Sequence, residues 1–337
     1  MLHFARSNWF VLGLLVVIAL AAAFPIPAPA IAPLFSSRAT GIAIFVIFFV
    51  NGIILPTETI LGGLAKWRLH LFVHVFLYCL TPLLVLVLIA PLRSYLSLSL
   101  ISGFILLAAL PCTISTSIVY SVRLGGSLAP AIFNATVANL VGVAITPLVV
   151  GLLAPSSGGR GIDVGTALIN TASIVFPPIL LGQLARQPIR EWASAQKSQL
   201  NNVTSLLILL IVYVAFAASV RDGLWQRLGP TTLALVALVC VIFFAAQMLL
   251  AAASLRRLKF ERNDTITAFV CSTQKTLAAG IPLADAIFAD TDLDLGVILL
   301  PLLIFYAIQL IVGEAVIKSL VPKAAQPFGK NAKPSIR

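Results

Sequence analysis

A short polar segment, "CSTQKT" at residues 271–276, interrupts a stretch that is otherwise mostly apolar. It contains Lys275, and a lysine ammonium at the centre of a membrane helix costs at least about 2.5–3.5 kcal/mol, so its presence indicates a functional site. Three roles are open. The ammonium can replace a bound cation and be held by oxygen atoms, it can pair with an anionic substrate, or it can bond backbone carbonyl groups only to stabilise the fold.

Hydroxyl side chains form a second polar segment, "TISTS" at residues 113–117, shortly after Pro111. Proline removes a backbone donor and hydroxyl groups compete for backbone hydrogen bonds, so together they predict a break in a helix. Gly280 and Pro282 predict a second break after the lysine-containing segment. A broken helix exposes carbonyl oxygens that bind cations and a positive N-terminus that attracts anions, which makes both breaks candidate binding elements.

Amide side chains accompany both predicted breaks. Asn139 and Gln309 occupy similar places in two later apolar segments, and Asn134 lies within a turn or so of the first. An amide in a membrane helix can equally well bond a neighbouring helix, so each one alone leaves that alternative open. Together these patterns predict a substrate or ion site formed by Thr113, Ser115, Thr116, Ser117, Asn134, Asn139, Ser272, Thr273, Gln274, Lys275 and Gln309.

Other residues that could carry chemistry do not assemble into a catalytic pattern. His70 and His74 are four residues apart on one helix face, but no third zinc ligand is evident, so we interpret them as packing residues. The four cysteines fall in apolar segments without metal-ligand spacing. No nucleotide-binding loop or nucleophile–base pair is evident. The sequence therefore predicts neither an enzyme nor a cofactor, and any energy has to come from ion or substrate gradients.

The elements that must position these residues are predicted to be membrane helices. Of the 337 residues, 60% are hydrophobic and 10% are charged, and the mean hydropathy is +1.07. A soluble domain would carry roughly a quarter charged residues. The apolar residues also come in runs of about 20, the length that crosses a bilayer. We predict an integral, all-α membrane protein without a large soluble domain, and a lipid bilayer as its surroundings.

Ten apolar spans can be placed along the chain. The polar linker between the sixth and seventh, at 186–201, is the longest interruption and is predicted to lie along the membrane surface. The spans are 8–24, 38–55, 69–91, 96–121, 130–154, 164–185, 203–220, 230–255, 264–288 and 296–320.

Basic residues orient these spans. With both termini in the cytoplasm, 16 of the 22 lysines and arginines fall on the cytoplasmic side and five on the opposite side. Such a bias is typical of a correct topology, because cytoplasmic loops collect Lys and Arg. It also explains the excess of basic over acidic residues, 22 against 11, without nucleic acid as a partner. We expect a plasma membrane or bacterial inner membrane protein.

Ten spans divide into two halves of five, and an odd number per half means that the halves insert in opposite orientations. Inverted repeats of this kind are typical of secondary transporters, with interrupted helices at matching places near the binding site. The predicted breaks fall in the fourth span of each half. We predict a first repeat at 1–155 and a second at 156–322, within which 156–202 holds span 6 and the linker, and a basic cytoplasmic tail at 323–337.

Three stretches, "FFVNGIILPTETI", "CSTQKTLAAGIP" and "LPLLIFYAIQLI", resemble the bile acid:sodium symporter superfamily and within it the member 7-like branch. The resemblance extends over all ten spans. It implies a panel formed by spans 1, 2, 6 and 7 and a core formed by spans 3–5 and 8–10, with spans 4 and 9 unwound and crossing at the centre. It also implies a secondary transporter that moves core against panel to expose the crossing to each side in turn.

One departure bears on coupling. The sodium-coupled relatives place a glutamate and, four residues later, a glutamine in span 9 as sodium ligands, and these positions align here with Cys271 and Lys275. The set of sodium ligands is therefore incomplete, although Ser115, Thr116 and Ser117 could still supply oxygen atoms. We expect a transporter of a small organic anion, by analogy an amphipathic carboxylate or sulfonate. Transport is either coupled to sodium, independent of sodium or linked to protons.

Two other functions use the same pattern. An ion channel would employ the broken helices as a filter, and a membrane sensor would bind a ligand without transporting it. The sequence does not predict an oligomeric state.

Overall fold

A computed structural model describes residues 9–25, 37–55, 66–155, 163–223 and 228–324. These ranges form twelve helices and contain no strand. The predicted basic tail lies almost entirely outside them. The helices are α1 (Trp9–Ala23), α2 (Ser37–Ile54), α3 (Trp67–Leu92), α4 (Leu98–Ala109), α5 (Ile114–Arg123), α6 (Leu128–Leu153), α7 (Val164–Ala195), α8 (Lys197–Arg221), α9 (Pro230–Leu258), α10 (Arg262–Thr273), α11 (Gly280–Phe288) and α12 (Leu295–Ala324).

Each predicted span coincides with one helix, or with two in the case of spans 4 and 9. Six helices, α3, α6, α7, α8, α9 and α12, are long and apolar enough to cross a membrane. The pair α4 and α5, bent by 48° at their break, counts as a seventh if it is one span. The all-helical membrane architecture is therefore confirmed. The number of crossings and the inverted repeat stay predictions.

The first break lies where the sequence predicts it. Helix α4 ends at Ala109, residues 110–113 are not helical, and Thr113 caps α5 by accepting a hydrogen bond from the Thr116 backbone at 3.2 Å. Pro111 explains the interruption, because proline lacks the donor that would continue the helix.

The second break is also present, but the residues held responsible for it were wrong. Residues 274–279 are not helical, whereas Gly280 and Pro282 lie in the first turn of α11. Proline is tolerated in a first turn because its missing N–H would have no intrahelical partner there. The segment that unwinds is the polar one around Lys275.

The predicted surface linker at 186–201 is helical for most of its length. Helix α7 continues to Ala195, with non-helical dihedral angles only at Ile189 next to Pro188, and α8 starts at Lys197. Alanine, glutamine, lysine and arginine are good helix formers, so the polar residues here lengthen the two helices rather than interrupt them.

Helix α2 packs along α7 at a glycine contact. A Cβ on Gly182 would lie 3.0 Å from the Cα of Gly52 and would collide with the Phe49 carbonyl oxygen. Glycines at a helix–helix contact in a membrane protein let two backbones approach closely. The same pair is joined by Gln183, whose side-chain nitrogen donates to the carbonyl oxygens of Gly52 at 2.6 Å and Leu55 at 3.0 Å. Helix α2 thus has a fixed position against α7.

Loops that the charge pattern assigns to one side lie together. At one end, the Lys66 ammonium is 2.7 Å from both carboxylate oxygens of Asp264, and the Ser127 hydroxyl donates to the same carboxylate at 3.2 Å. At the other end, the Asp294 carboxylate accepts from the Ser219 hydroxyl at 2.5 Å, and the Asp294 N–H donates to Ser99 at 3.2 Å. These contacts are consistent with the alternation of spans.

Candidate functional site

The two breaks touch each other inside the protein. The Thr276 N–H donates to the carbonyl oxygen of Pro111 at 3.0 Å, and both segments are almost completely buried. Unwound backbone at this depth needs internal partners, because a buried peptide group without a hydrogen bond is costly. The hydrogen bond between Thr276 and Pro111 therefore replaces part of the backbone hydrogen bonding that the interrupted helices lose.

Two amide side chains supply further partners, one for each break. Asn139 donates to the carbonyl oxygens of Cys112 at 2.8 Å and of Ala135 at 2.7 Å. Gln309 binds the peptide of Lys275 from both sides, since its Oε1 accepts from the N–H at 2.8 Å and its Nε2 donates to the carbonyl oxygen at 3.1 Å. Both amides therefore hold the unwound backbone in place.

The ammonium of Lys275 is fully buried and surrounded by oxygen atoms. Its Nζ lies 2.7 Å from the Ala108 carbonyl, 2.9 Å from the Leu110 carbonyl, 3.1 Å from the Thr81 hydroxyl and 3.4 Å from the Leu77 carbonyl. None of the carboxylates that the structure describes pairs with it. Four oxygen partners for three N–H groups satisfy the ammonium.

Local backbone geometry makes these oxygens available. Ala108 belongs to the last turn of α4, where carbonyl groups have no intrahelical partner. Leu77 belongs to the π-helical stretch Phe76–Leu80 of α3, where the regular hydrogen-bond pattern is interrupted. The carbonyl oxygens of Ala108 and Leu110 belong to span 4, as expected for a tethered cation held by that span and equally for a lysine that bonds carbonyl groups only to stabilise the fold. Those from α3 were not predicted, because a π-helical turn leaves no clear signal in the sequence.

A cavity of about 280 Å³ lies where the breaks meet α1, α2, α6, α8 and α12. None of its lining residues is charged, and Lys275 does not line it. Four predicted site residues do: Thr113, Ser115, Thr116 and Asn139. The other polar or aromatic lining residues are Trp9, Phe10, Asn51, Asn201, Thr204, Ser205, Thr276 and Tyr306.

The remaining predicted residues lie outside this lining. Asn134 donates to Pro130 at 2.8 Å and its Oδ1 is 3.2 Å from the Nδ1 of His70, so it connects α6 to α3. The hydroxyls of Ser272 and Thr273 both donate to the Phe269 carbonyl oxygen within α10.

Ser117 and Gln274 are fully buried, and their side-chain polar atoms have no hydrogen-bond partner among the described residues. The geometry therefore divides the predicted set into cavity residues, backbone supports and buried residues.

Sequence reasoning missed the polar residues that α2 and α8 contribute. Asn51 was visible as a single amide in the apolar run "FFVNGII", and Asn201 was assigned to the linker. Because α8 begins at Lys197, Asn201, Thr204 and Ser205 occupy one face of its first turns and point to the cavity. If the linker had been predicted as a helix, these three residues would have been placed on one face.

Comparison with known proteins decides the family. Residues 8–321 match the sequence profile of the SBF-like CPA transporter family. The chain belongs to this family. It is 36% identical over 276 residues to the uncharacterized protein PA2026 of Pseudomonas aeruginosa, with 81% of each chain covered. It is 34% identical over 305 residues to YfeH of Escherichia coli K12, which its name gives as a proposed symporter, with 90% of each chain covered.

The vertebrate relatives extend the match. Sodium/bile acid cotransporter 7 of Xenopus tropicalis is 30% identical over 326 residues, which cover 94% of this chain and 92% of the relative. Family membership makes this protein a membrane transporter and not an enzyme. The resemblance noted in the sequence is thereby confirmed.

Proposed function

We propose that this protein is a secondary active transporter of a small organic anion that works by alternating access and does not need sodium. The observation that carries this proposal is the ammonium of Lys275, held by four oxygen atoms beside the meeting point of the two breaks. The resemblance places a sodium ligand at this position in the sodium-coupled relatives. Here a covalently attached cation takes that place.

A sodium ion does not fit beside this lysine. Sodium needs several oxygen ligands, and those nearest to the break, on Ala108, Leu110 and Thr81, already accept from the ammonium. A second cation a few ångströms away would be repelled by the first. The opening of the cavity to either side of the membrane would therefore not depend on a sodium ion bound at this position.

The cavity itself supports an anion as the substrate. It presents hydroxyl and amide groups, and the N-termini of α5 and α11 contribute residues to its wall, which places positive ends of helices next to it. Lys197 lies one turn before Asn201 on the same face of α8 and adds a basic residue at this end of the cavity. A volume of about 280 Å³ is just below the range of about 300–1,000 Å³ for drug-sized ligands, which favours a small substrate.

Two cavities at opposite ends of α8 support alternating access. The first is lined by residues in its first half, from Asn201 to Ile208, and a second of about 410 Å³ is lined by residues in its second half, including Ile211 and Ser219. Where the two cavities approach each other, in the middle of α8, Ile208, Ile211 and Val212 are almost completely buried. We assign the first cavity to the cytoplasmic side. The proposed scheme includes ten crossings, the 5+5 inverted repeat, a core moving against a panel, and both termini in the cytoplasm.

Binding and transport assays test the proposal in two steps. A thermal-shift screen of small carboxylates and sulfonates, each in sodium chloride and in choline chloride, identifies ligands, since a ligand stabilises the state that it binds. Uptake of a stabilising anion into proteoliposomes is then measured with and without sodium. We expect equal stabilisation and equal uptake in both salts, and a proton ionophore reveals any proton linkage. A strict sodium requirement would overturn sodium independence.

Sodium coupling at another place is the second candidate. Ser115 and Thr116 line the cavity, and the buried Ser117 hydroxyl has no partner among the described residues, so oxygen atoms for a cation remain near α5. The same uptake assay decides between the two. Electrical recording identifies a channel, which would carry ohmic currents. A sensor would bind the anion in the thermal-shift screen but show no uptake.

A further inference from the structure

The amide side chains that line the cavity differ in what they are free to bind. Asn139 uses its amide nitrogen for two backbone carbonyl oxygens. Asn51 on α2 and Asn201 on α8 also line the cavity, but neither side chain makes a hydrogen bond within the part of the chain that the structure describes. Each therefore offers two N–H donors and one carbonyl acceptor to a ligand.

The neighbouring hydroxyls on α8 are less available. Thr204 donates to the Leu200 carbonyl oxygen at 3.2 Å, and Ser205 donates to the Asn201 carbonyl oxygen at 2.8 Å. Their oxygen atoms can accept, but their protons are committed to the helix. On the wall that α2 and α8 form, Asn51 and Asn201 are thus the side chains that can both donate and accept hydrogen bonds.

A substrate hydroxyl matches such amides, because it also donates and accepts. We propose that Asn51 and Asn201 determine specificity by binding hydroxyl groups of the substrate, so that the substrate is a small hydroxylated organic acid. This inference rests on the proposed function and adds the substrate class. An acid without hydroxyl groups would displace water from both amides and leave them unpaired, which disfavours its binding.

A pair of probes with the same carbon chain tests the proposal. Gluconate and hexanoate are both six-carbon monocarboxylates, and only gluconate carries hydroxyl groups. Their dissociation constants are measured by calorimetry on the purified full chain in lipid nanodiscs. We expect gluconate to bind at least about tenfold more tightly than hexanoate, from the hydrogen bonds to the two amides.

Neighbouring asparagines provide a matched control. Asn201→Leu removes one of the two free amides and should lower the gluconate preference by about threefold. Asn202→Leu makes the same change at the next residue, which is exposed and does not line the cavity, and should leave the preference unchanged. Asn51→Leu should act like Asn201→Leu.

Partial loss of folded protein does not disturb this test, because the readout is a ratio within one variant and both acids are affected equally. Asn201→Ser provides a smaller polar replacement that should lower the preference less.

The outcomes separate this inference from the proposed function. If hexanoate binds as tightly as gluconate, or if Asn201→Leu keeps the full preference, the inference is wrong while anion transport still stands. If neither these probes nor any other small carboxylate or sulfonate binds or is taken up, both proposals are overturned. A preference that is lowered in Asn51→Leu and Asn201→Leu but kept in Asn202→Leu supports the assignment.

Discussion

The ammonium of Lys275 lies 2.7 Å from the carbonyl oxygen of Ala108, in the last turn of α4. This hydrogen bond joins the second break to the end of the helix that precedes the first break. The C-terminus of a helix carries a partial negative charge, so it stabilises a cation placed there. A lysine that would be costly in lipid is thus favourable at this position, and it links the two interrupted spans.

Removing the ammonium should make the protein sensitive to sodium. Lys275→Ala leaves the Ala108 and Leu110 carbonyls without their partner and creates a space, at a cost of about 2–5 kcal/mol. A free cation can then bind these oxygens. We expect the variant to melt at a lower temperature than the wild type and to regain part of the loss in sodium chloride but not in choline chloride.

Lys66→Ala is the control for loss of an ammonium: it leaves the buried Asp264 carboxylate unpaired and should also destabilise the protein, but it frees no group of carbonyl oxygens, so its melting temperature should be the same in sodium chloride and in choline chloride. If sodium stabilises the wild type as much as Lys275→Ala, the ammonium does not take the place of a cation.

The two amides that support the breaks should be coupled in energy. Asn139→Leu and Gln309→Leu each remove hydrogen bonds to buried backbone groups and should destabilise the protein by about 1–3 kcal/mol. Because Thr276 and Pro111 connect the breaks directly, the double variant should deviate from additivity by about 0.5–3 kcal/mol. Asn139→Leu combined with Asn170→Leu, a partly exposed residue that bonds Asp290, should be additive. Additivity of both pairs in thermal unfolding would show that the breaks are energetically independent.

The helices could be predicted from the sequence because long apolar runs and their flanking charges are local signals. Predicted spans and observed helices differ mainly at their ends, as between 203 and Lys197 at the start of α8. The first break could also be predicted from the local sequence, because Pro111 lacks a backbone donor in any structural context.

Tertiary partners could not be predicted in the same way. The partners of Lys275 on α3 are a carbonyl oxygen in a π-helical stretch and a hydroxyl, and neither has a sequence signature. Asn134 and Asn139 have the same residue type and similar surroundings in the sequence, yet one bonds α3 and the other supports a break. The two asparagines are five residues apart, which places them on different faces of α6. Only the packing of the neighbouring helices decides what each face contacts.

A glycine contact should fix α2 against α7. Gly182→Ala would bring a methyl group against the backbone of Phe49 and Gly52, which cannot move aside, so we expect a destabilisation of about 1–3 kcal/mol or more. Gly41→Ala on α2 is the matched control because its Cβ would enter open space, and it should be neutral or stabilising by up to about 1 kcal/mol. Thermal unfolding in the same detergent measures both. Equal effects at the two glycines would contradict close packing at this contact.

The charge of Lys197 should speed the entry of anions. It is half-buried at the start of α8, one turn from Asn201, and attraction of an anion toward it is a long-range effect that salt screens. In Lys197→Gln we expect the association rate of gluconate to fall by about threefold to tenfold at low salt and to approach the wild-type rate at high salt. Lys197→Arg should keep the rate, and Lys259→Gln, which removes a charge at the end of α9, should change it little. A loss in Lys197→Gln that is the same at all salt concentrations would contradict steering and indicate a direct contact with the bound anion.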